Sequence, residues 1–199
     1  MSKPPLRSGF APGVCGVSSN GYPHLNMDNE LLHQLSKKAS RLWANDDYVE
    51  ADKLFKKIIP YLDPAHWKTA SLYAHYGLTL EGLGKIDEAT AYFEKSLYYS
   101  VQAQTHDTGA ATFARFALGE HLFRKEQFKE ALMAITPSLE SKCESQWLIL
   151  SLAAKIYYKQ SMLDEFEKAT SALLFAAPKG KYKSLKQIRE LIILSVGSC

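Results

Sequence analysis

From Asp28 onward, apolar side chains recur at intervals of three and four residues, the period of a helix with one buried face. Leu31, Leu32, Leu35, Ala39, Leu42 and Trp43 share one such face. Asp28 stands before it as a cap whose carboxylate can accept orphan N–H groups of the first turn. Asn45-Asp46-Asp47 reads as a turn, after which Tyr48, Ala51, Phe55 and Ile58 carry a second helix as far as Pro60. Asp63-Pro64 predicts the next start, with the proline at the first helical position, where a missing N–H costs nothing. That helix passes through Trp67, Leu72, Tyr73, Tyr76 and Leu80. Leu83-Gly84-Lys85 then turns the chain, and Asp87-Glu88 opens a helix bearing Ala89 and Phe93 on one face.

The period breaks at Thr105-His106-Asp107-Thr108-Gly109 and resumes through Phe113, Phe116, Ala117, Leu118 and Leu122, then Phe128, Ala131 and Ile135. Pro137 removes an N–H and clashes with the preceding turn, at ~3 kcal/mol in a helix interior, so this helix is expected to end or kink near Thr136. Trp147 to Lys159 forms a further helix, with Leu150, Ala153, Ala154 and Tyr157 on one face, and Leu163, Phe166, Leu173 and Leu174 lie on the next. Tyr182–Val196 reads as a lone amphipathic helix. Ahead of Asp28 the chain is rich in Pro, Gly and Ser, as in Pro4-Pro5, Pro12-Gly13 and Ser18-Ser19-Asn20-Gly21, and shows neither period. Residues 1–27 are therefore expected to be an extended or disordered arm, and 28–199 a helical domain.

The helices come in pairs, and the pairs share a register. Ala51 and Phe55, Ala89 and Phe93, and Ala131 and Ile135 stand at equivalent places, the three alanines 38 and 42 residues apart. The pairing of Gly77 with Ala89 and Phe93, and the Leu118-Gly119 pair, resemble the tetratricopeptide repeat, a helix-turn-helix unit of ~34 residues. The resemblance implies an all-α, right-handed α-solenoid of about four hairpins. These would span about Leu32–Ala65, Ala70–Ala103 and Thr112–Ser145, with a fourth up to Pro178 and a C-terminal helix capping its open apolar face. The extra residues are expected to lengthen helices by about one turn each. In the fourth hairpin Phe166 stands at the small position and Thr170 at the aromatic one, a departure from the family pattern.

In such a solenoid the first helices line a concave groove. The resemblance places His33, Ser36, Ser40, Trp43, Ser71, Ala74, Leu78, Glu81, Phe113, Phe116, Glu120, Phe123, Leu148, Ser151, Lys155 and Tyr158 toward it. Of these, Trp43, Leu78, Glu81, Phe113, Phe116, Glu120, Phe123, Lys155 and Tyr158 are the candidate protein-binding residues. Their aromatic rings suit an apolar peptide or partner helix. The family's clamp for a C-terminal carboxylate needs Lys and Asn where Ser36 and Ser40 stand, so that activity is not expected. The function implied is non-catalytic: an adaptor, chaperone or regulator. An immunity or inhibitor protein that blocks one toxin or enzyme is the alternative, and an enzyme the remote one.

Composition narrows the picture further. The chain has 199 residues, 46% hydrophobic and 23% charged, with a net charge of +3, too small to point to nucleic acid or membrane. Lys179, Lys181, Lys183, Lys186 and Arg189 crowd the C-terminal segment against Glu190, and read as a solvated helix face. Cys15, Cys143 and Cys199 are odd in number and far apart, which suits a reducing cytoplasm. No stretch approaches ~18 consecutive apolar residues. The six histidines form no pair with metal-ligand spacing, and no phosphate-binding glycine loop or nucleophile elbow occurs, so no metal, cofactor or catalytic residue is expected. A homodimer is left open. Phe10, Val14 or Tyr22 of the arm could occupy the groove in the absence of a partner; a tail that touches nothing is the other reading.

Overall fold

The computed structural model describes residues 27–63, 66–102 and 109–197, which form nine helices and no strand. They are α1 (Asn29–Ala44), α2 (Tyr48–Ile58), α3 (Trp67–Gly82), α4 (Ile86–Gln102), α5 (Gly109–Arg124), α6 (Phe128–Ile135), α7 (Gln146–Lys159), α8 (Leu163–Ala176) and α9 (Leu185–Gly197). The expected arm, Pro64 and the break at residues 105–108 lie outside the described residues. Consecutive helices pack as the hairpins α1–α2, α3–α4, α5–α6 and α7–α8. Each odd-numbered helix also touches the next odd-numbered one, from α1 through to α9.

One turn closes all four hairpins. Asp46, Gly84, Glu126 and Ser161 occupy the same place in it, and each has φ between 59° and 72°. In each, two main-chain bonds cap the preceding helix: Asp46 N to Trp43 O and Asp47 N to Leu42 O in the first, Gly84 N to Glu81 O and Lys85 N to Leu80 O in the second. Glu126, Gln127, Ser161 and Met162 repeat the pattern. This pair of bonds satisfies carbonyls that a helix end otherwise leaves open. Only the second hairpin supplies glycine, the residue that adopts this backbone without a Cβ penalty.

The helices of a hairpin cross where one side chain is small. A Cβ on Gly77 would lie 2.9 Å from the Phe93 ring, and one on Gly119 would lie 2.6 Å from Ile135 Cγ2. Ala39 with Phe55, and Ala154 with Thr170, stand at the same offset of sixteen residues and are fully buried. Ala51, Ala89 and Ala131 are likewise fully buried, and in the fourth hairpin Phe166 fills that place instead. Large and small have exchanged there: bulk that sits on Phe93 in the second hairpin sits on Phe166 in the fourth.

Several local expectations are met and others corrected. Asp28 caps α1 through Glu30 N at 3.1 Å. α6 ends at Ile135, and Pro137 falls in a 3-10 turn, Thr136–Ser138. Asp63 is not the cap of α3. That cap is His66, whose Nδ1 accepts from Lys68 N at 3.2 Å, while the Asp63 carbonyl accepts from Thr69 Oγ1 at 2.6 Å. α9 begins at Leu185 rather than Tyr182, because Ser184 Oγ accepts from Gln187 N and the Gln187 side chain accepts from Lys183 N. Helix lengthening explains only part of the spacing. α4 has 17 residues against 11 in α2, but the first interval also holds the 3-10 turn Ile59–Tyr61 and the segment leading to His66.

The core divides into two clusters. Ala39, Phe55, Ala74, Leu80 and Phe93 anchor the first, and Ile135, Ile149, Leu152, Ile156 and Leu173 the second. Half-buried Leu122 packs against both. Ile188, Ile192 and Val196 of α9 enter the second cluster, while Leu191, Ile193 and Leu194 remain exposed on its other sides.

Two stability outcomes follow from the turn and the crossing. Glu126→Gly and Ser161→Gly should each stabilise the fold by about 0.5–1 kcal/mol, since relief of a left-handed backbone outweighs the added freedom of the unfolded chain. Ala89→Leu should overpack the second hairpin and destabilise by about 1–3 kcal/mol. Denaturant midpoints measure all three, and an unchanged midpoint for Ala89→Leu would show that α3 and α4 do not cross there.

Candidate functional site

Side chains from α1 and α3 face each other along their length. His33, Ser36 and Ser40 recur at helical spacing on α1, and Ser71, Leu72 and His75 on α3. Between them lies a cavity of about 710 Å³, closed at one end by Tyr61, Leu62 and Asp63 of the connection from α2. A second cavity, of about 560 Å³, is lined by Trp43, Tyr48, Leu78, Glu81, Gly82 and Ile86 with His121 and Arg124 of α5 and Lys125 of the turn after it. His75 borders the first and Trp43 the second. Their rings stack with centroids 4.7 Å apart and planes 19° from parallel. Ser40 Oγ lies 3.2 Å from His75 Nδ1, and burial lowers the pKa of this imidazole, which favours its neutral form.

Glu81 is the polar hub of the second cavity. Its Oε1 is 2.5 Å from His121 Nδ1, and its Oε2 accepts from Arg124 at 2.6 Å. The other nitrogen of His121, Nε2, is 2.7 Å from Thr90 Oγ1. Lys125 Nζ approaches that hydroxyl at 3.5 Å and Asp87 at 3.7 Å. His121 is fully buried and its ring lies against Phe93, with centroids 4.9 Å apart. The carboxylate–imidazole–hydroxyl order is that of a nucleophile relay. Here both imidazole nitrogens are engaged inside the core and Thr90 Oγ1 also reaches the Ile86 carbonyl at 3.1 Å, so the arrangement ties α3, α4 and α5 together.

The nine sequence-derived candidates divide among these places. Trp43, Leu78 and Glu81 come together at the second cavity. Phe113 and Phe116 are half-buried, the first against one core cluster and the second against the other. Glu120 and Lys155 pair at 3.4 Å between α5 and α7, leaving Glu120 Oε2 buried without a hydrogen bond. Tyr158 is half-buried against Phe166, with centroids 5.6 Å apart. Phe123 is only 6% exposed, belongs to the second core cluster and packs on Phe128. The groove positions His33, Ser36, Ser40 and Ser71 line the larger cavity, although none was among the nine.

A second polar centre had no sequence signal. Asp52 is buried between α2 and α3, where it accepts from Tyr76 Oη at 2.8 Å and Lys56 Nζ at 2.7 Å, with Lys85 Nζ at 3.6 Å. Burial alone would raise its pKa, but the Lys56 and Tyr76 hydrogen bonds and the two lysine charges outweigh it, leaving the pKa below the ordinary value. Tyr76 moves the other way, raised first by burial and then by its bond to Asp52. Such bonds join residues on separate helices, and periodicity carries no trace of them.

The basic C-terminal segment is partly folded in. Lys181 Nζ sits 3.4 Å above the Trp147 ring, Arg189 pairs with Glu167, and Lys186 reaches Glu190 at 3.9 Å. Among the described residues no cluster of His, Cys, Asp and Glu could hold a metal, and no helix is long and apolar enough to cross a membrane. Compared with known proteins, the chain matches no family model and no curated sequence.

Both polar centres give measurable outcomes. Glu81→Ala strands the buried His121 and should destabilise by about 2–3 kcal/mol, read from denaturant midpoints. Asp52→Asn tests a pH dependence. A carboxylate whose folded pKa lies below the unfolded value of about 3.9 stabilises fully above that value and loses its contribution as pH falls through the folded pKa. The thermal midpoint of Asp52→Asn should therefore be lower than that of the unsubstituted chain at neutral pH. The gap should close as the pH is taken below about 4. A gap that persists at low pH would mean that packing, not charge, is what the substitution removes.

Proposed function

We propose that the chain is a non-catalytic protein-interaction module, a right-handed solenoid of tetratricopeptide-like hairpins that holds a protein segment along its first helices. The larger cavity carries this reading. It lies between α1 and α3 and is lined by His33, Ser36, Ser40 and Ser71, four positions that the resemblance assigns to a groove. Contacts from each odd-numbered helix to the next support a continuous array, as does a turn repeated at four equivalent places. Its volume is that of a cleft able to take a few side chains of an extended segment. The aromatic candidates play a smaller part, because Phe123 lies in the core and Phe113 and Phe116 are half-withdrawn. A cytoplasmic adaptor, chaperone or regulator fits this reading best, with no cofactor.

Filling the cavity tests it. The double variant Ser36→Phe with Ser71→Phe should lose the protein that co-purifies with the unsubstituted chain from its native cell. Leu191→Ser, on exposed α9, should retain it. Mass spectrometry of the recovered material and a melting curve for each variant make the measurement. Retention by the well-folded double variant would reject the groove. One toxic enzyme recovered at equal stoichiometry would assign the chain as its inhibitor instead.

A further inference from the structure

The groove reading leaves open what chemistry the bound segment carries, and the larger cavity answers through its inventory of donors. Its apolar lining is Leu32, Leu62 and Leu72. Its charged lining is two ammonium groups, Lys37 and Lys68, against one carboxylate, Asp63. Much of its hydroxyl capacity is already spent: Thr69 donates to the Asp63 carbonyl, Ser36 to the Leu32 carbonyl at 2.7 Å, and Ser40 is engaged with His75. His66 is engaged as well, accepting the Lys68 amide on Nδ1. Within the described residues the side chains of His33, Lys37 and Ser71 have neither hydrogen bond nor ion pair. An ammonium is a donor only, an imidazole N–H and a hydroxyl can also donate, and three such groups in a cavity that is also lined by leucines match an oxyanion next to an apolar side chain.

We propose that this cavity takes an extended peptide segment in which an apolar residue is followed closely by an oxyanion side chain, a carboxylate or a phosphoserine. The apolar residue sits on Leu32, Leu62 and Leu72, and the oxyanion meets Lys37, His33 and Ser71. The inference rests on the groove reading and sharpens it, since a groove could equally hold a neutral or basic segment.

An array of acetylated, amidated decapeptides tests the assignment. Each has one Leu, randomised flanks and, two residues after the Leu, Glu, phosphoserine, Gln or Lys; the full chain is the probe. The Glu or the phosphoserine series, or both, should retain about fivefold more protein than the Gln series, and the Lys series least. Preference for only one of the first two identifies the source of the oxyanion. Lys37→Glu should reverse the order of the Glu and Lys series at an unchanged melting temperature, whereas Lys186→Glu on α9 should leave it as it was. Equal retention in all four series, or an order indifferent to Lys37→Glu, overturns the oxyanion assignment and leaves the groove standing. Retention in none overturns both.

Discussion

Two helices joined by a three-residue turn can bury their facing sides only if their backbones approach closely where they cross. That approach is what the rest of the chain depends on. Gly77 under Phe93 and Gly119 under Ile135 leave no room for one more carbon atom, and Ala39 and Ala154 serve the same purpose in the outer hairpins. Tight contact also gains dispersion along the whole crossing, since a void would forfeit partner atoms. Once the angle within each hairpin is set, α1, α3, α5 and α7 stand side by side, and the space between the first two becomes a cavity rather than core.

Polar links then fasten one hairpin to the next. Ser40 with His75, Glu81 with His121 and Arg124, and Glu120 with Lys155 each join an odd-numbered helix to its neighbour. Asp52 with Tyr76 does so from α2 to α3. A buried network of this kind adds little net stability over a well-packed apolar one, but it penalises every arrangement in which a member loses its partner. Apolar stripes alone would let neighbouring hairpins slide by a helical turn. A buried imidazole held between a carboxylate and a hydroxyl does not permit that, so the links fix the register in which the cavity walls face each other.

Much of this was legible in the sequence because it is local. Ala89 and Phe93 lie one turn apart, Pro137 acts on its own helix, and the turn at Gly84 is marked by its glycine. What escaped notice is non-local or chemically unusual. Glu81 and His121 are forty residues apart, and only the fold brings them to 2.5 Å. His66 caps α3 with an imidazole nitrogen, while the nearby Asp63-Pro64 looked like the better start. A repeat position places Phe123 toward a groove, but burial depends on what packs against that face, and Phe123 is 6% exposed. The small hydroxyl residues Ser36, Ser40 and Ser71 line the cavity between α1 and α3, and their lack of bulk leaves space there.

The hairpin turn has a consequence for likeness among the hairpins. Its closing bonds run between main-chain atoms, and its left-handed residue is Asp46, Gly84, Glu126 or Ser161 in the four hairpins. An acidic residue, a glycine and a serine thus do the same geometric work, at a strain small enough for packing to absorb. Selection at such a place acts on a torsion angle and hardly at all on a letter. Hairpins built on such a turn can share a shape while sharing few letters, so their likeness is read in backbone angles at fixed offsets rather than in aligned residues.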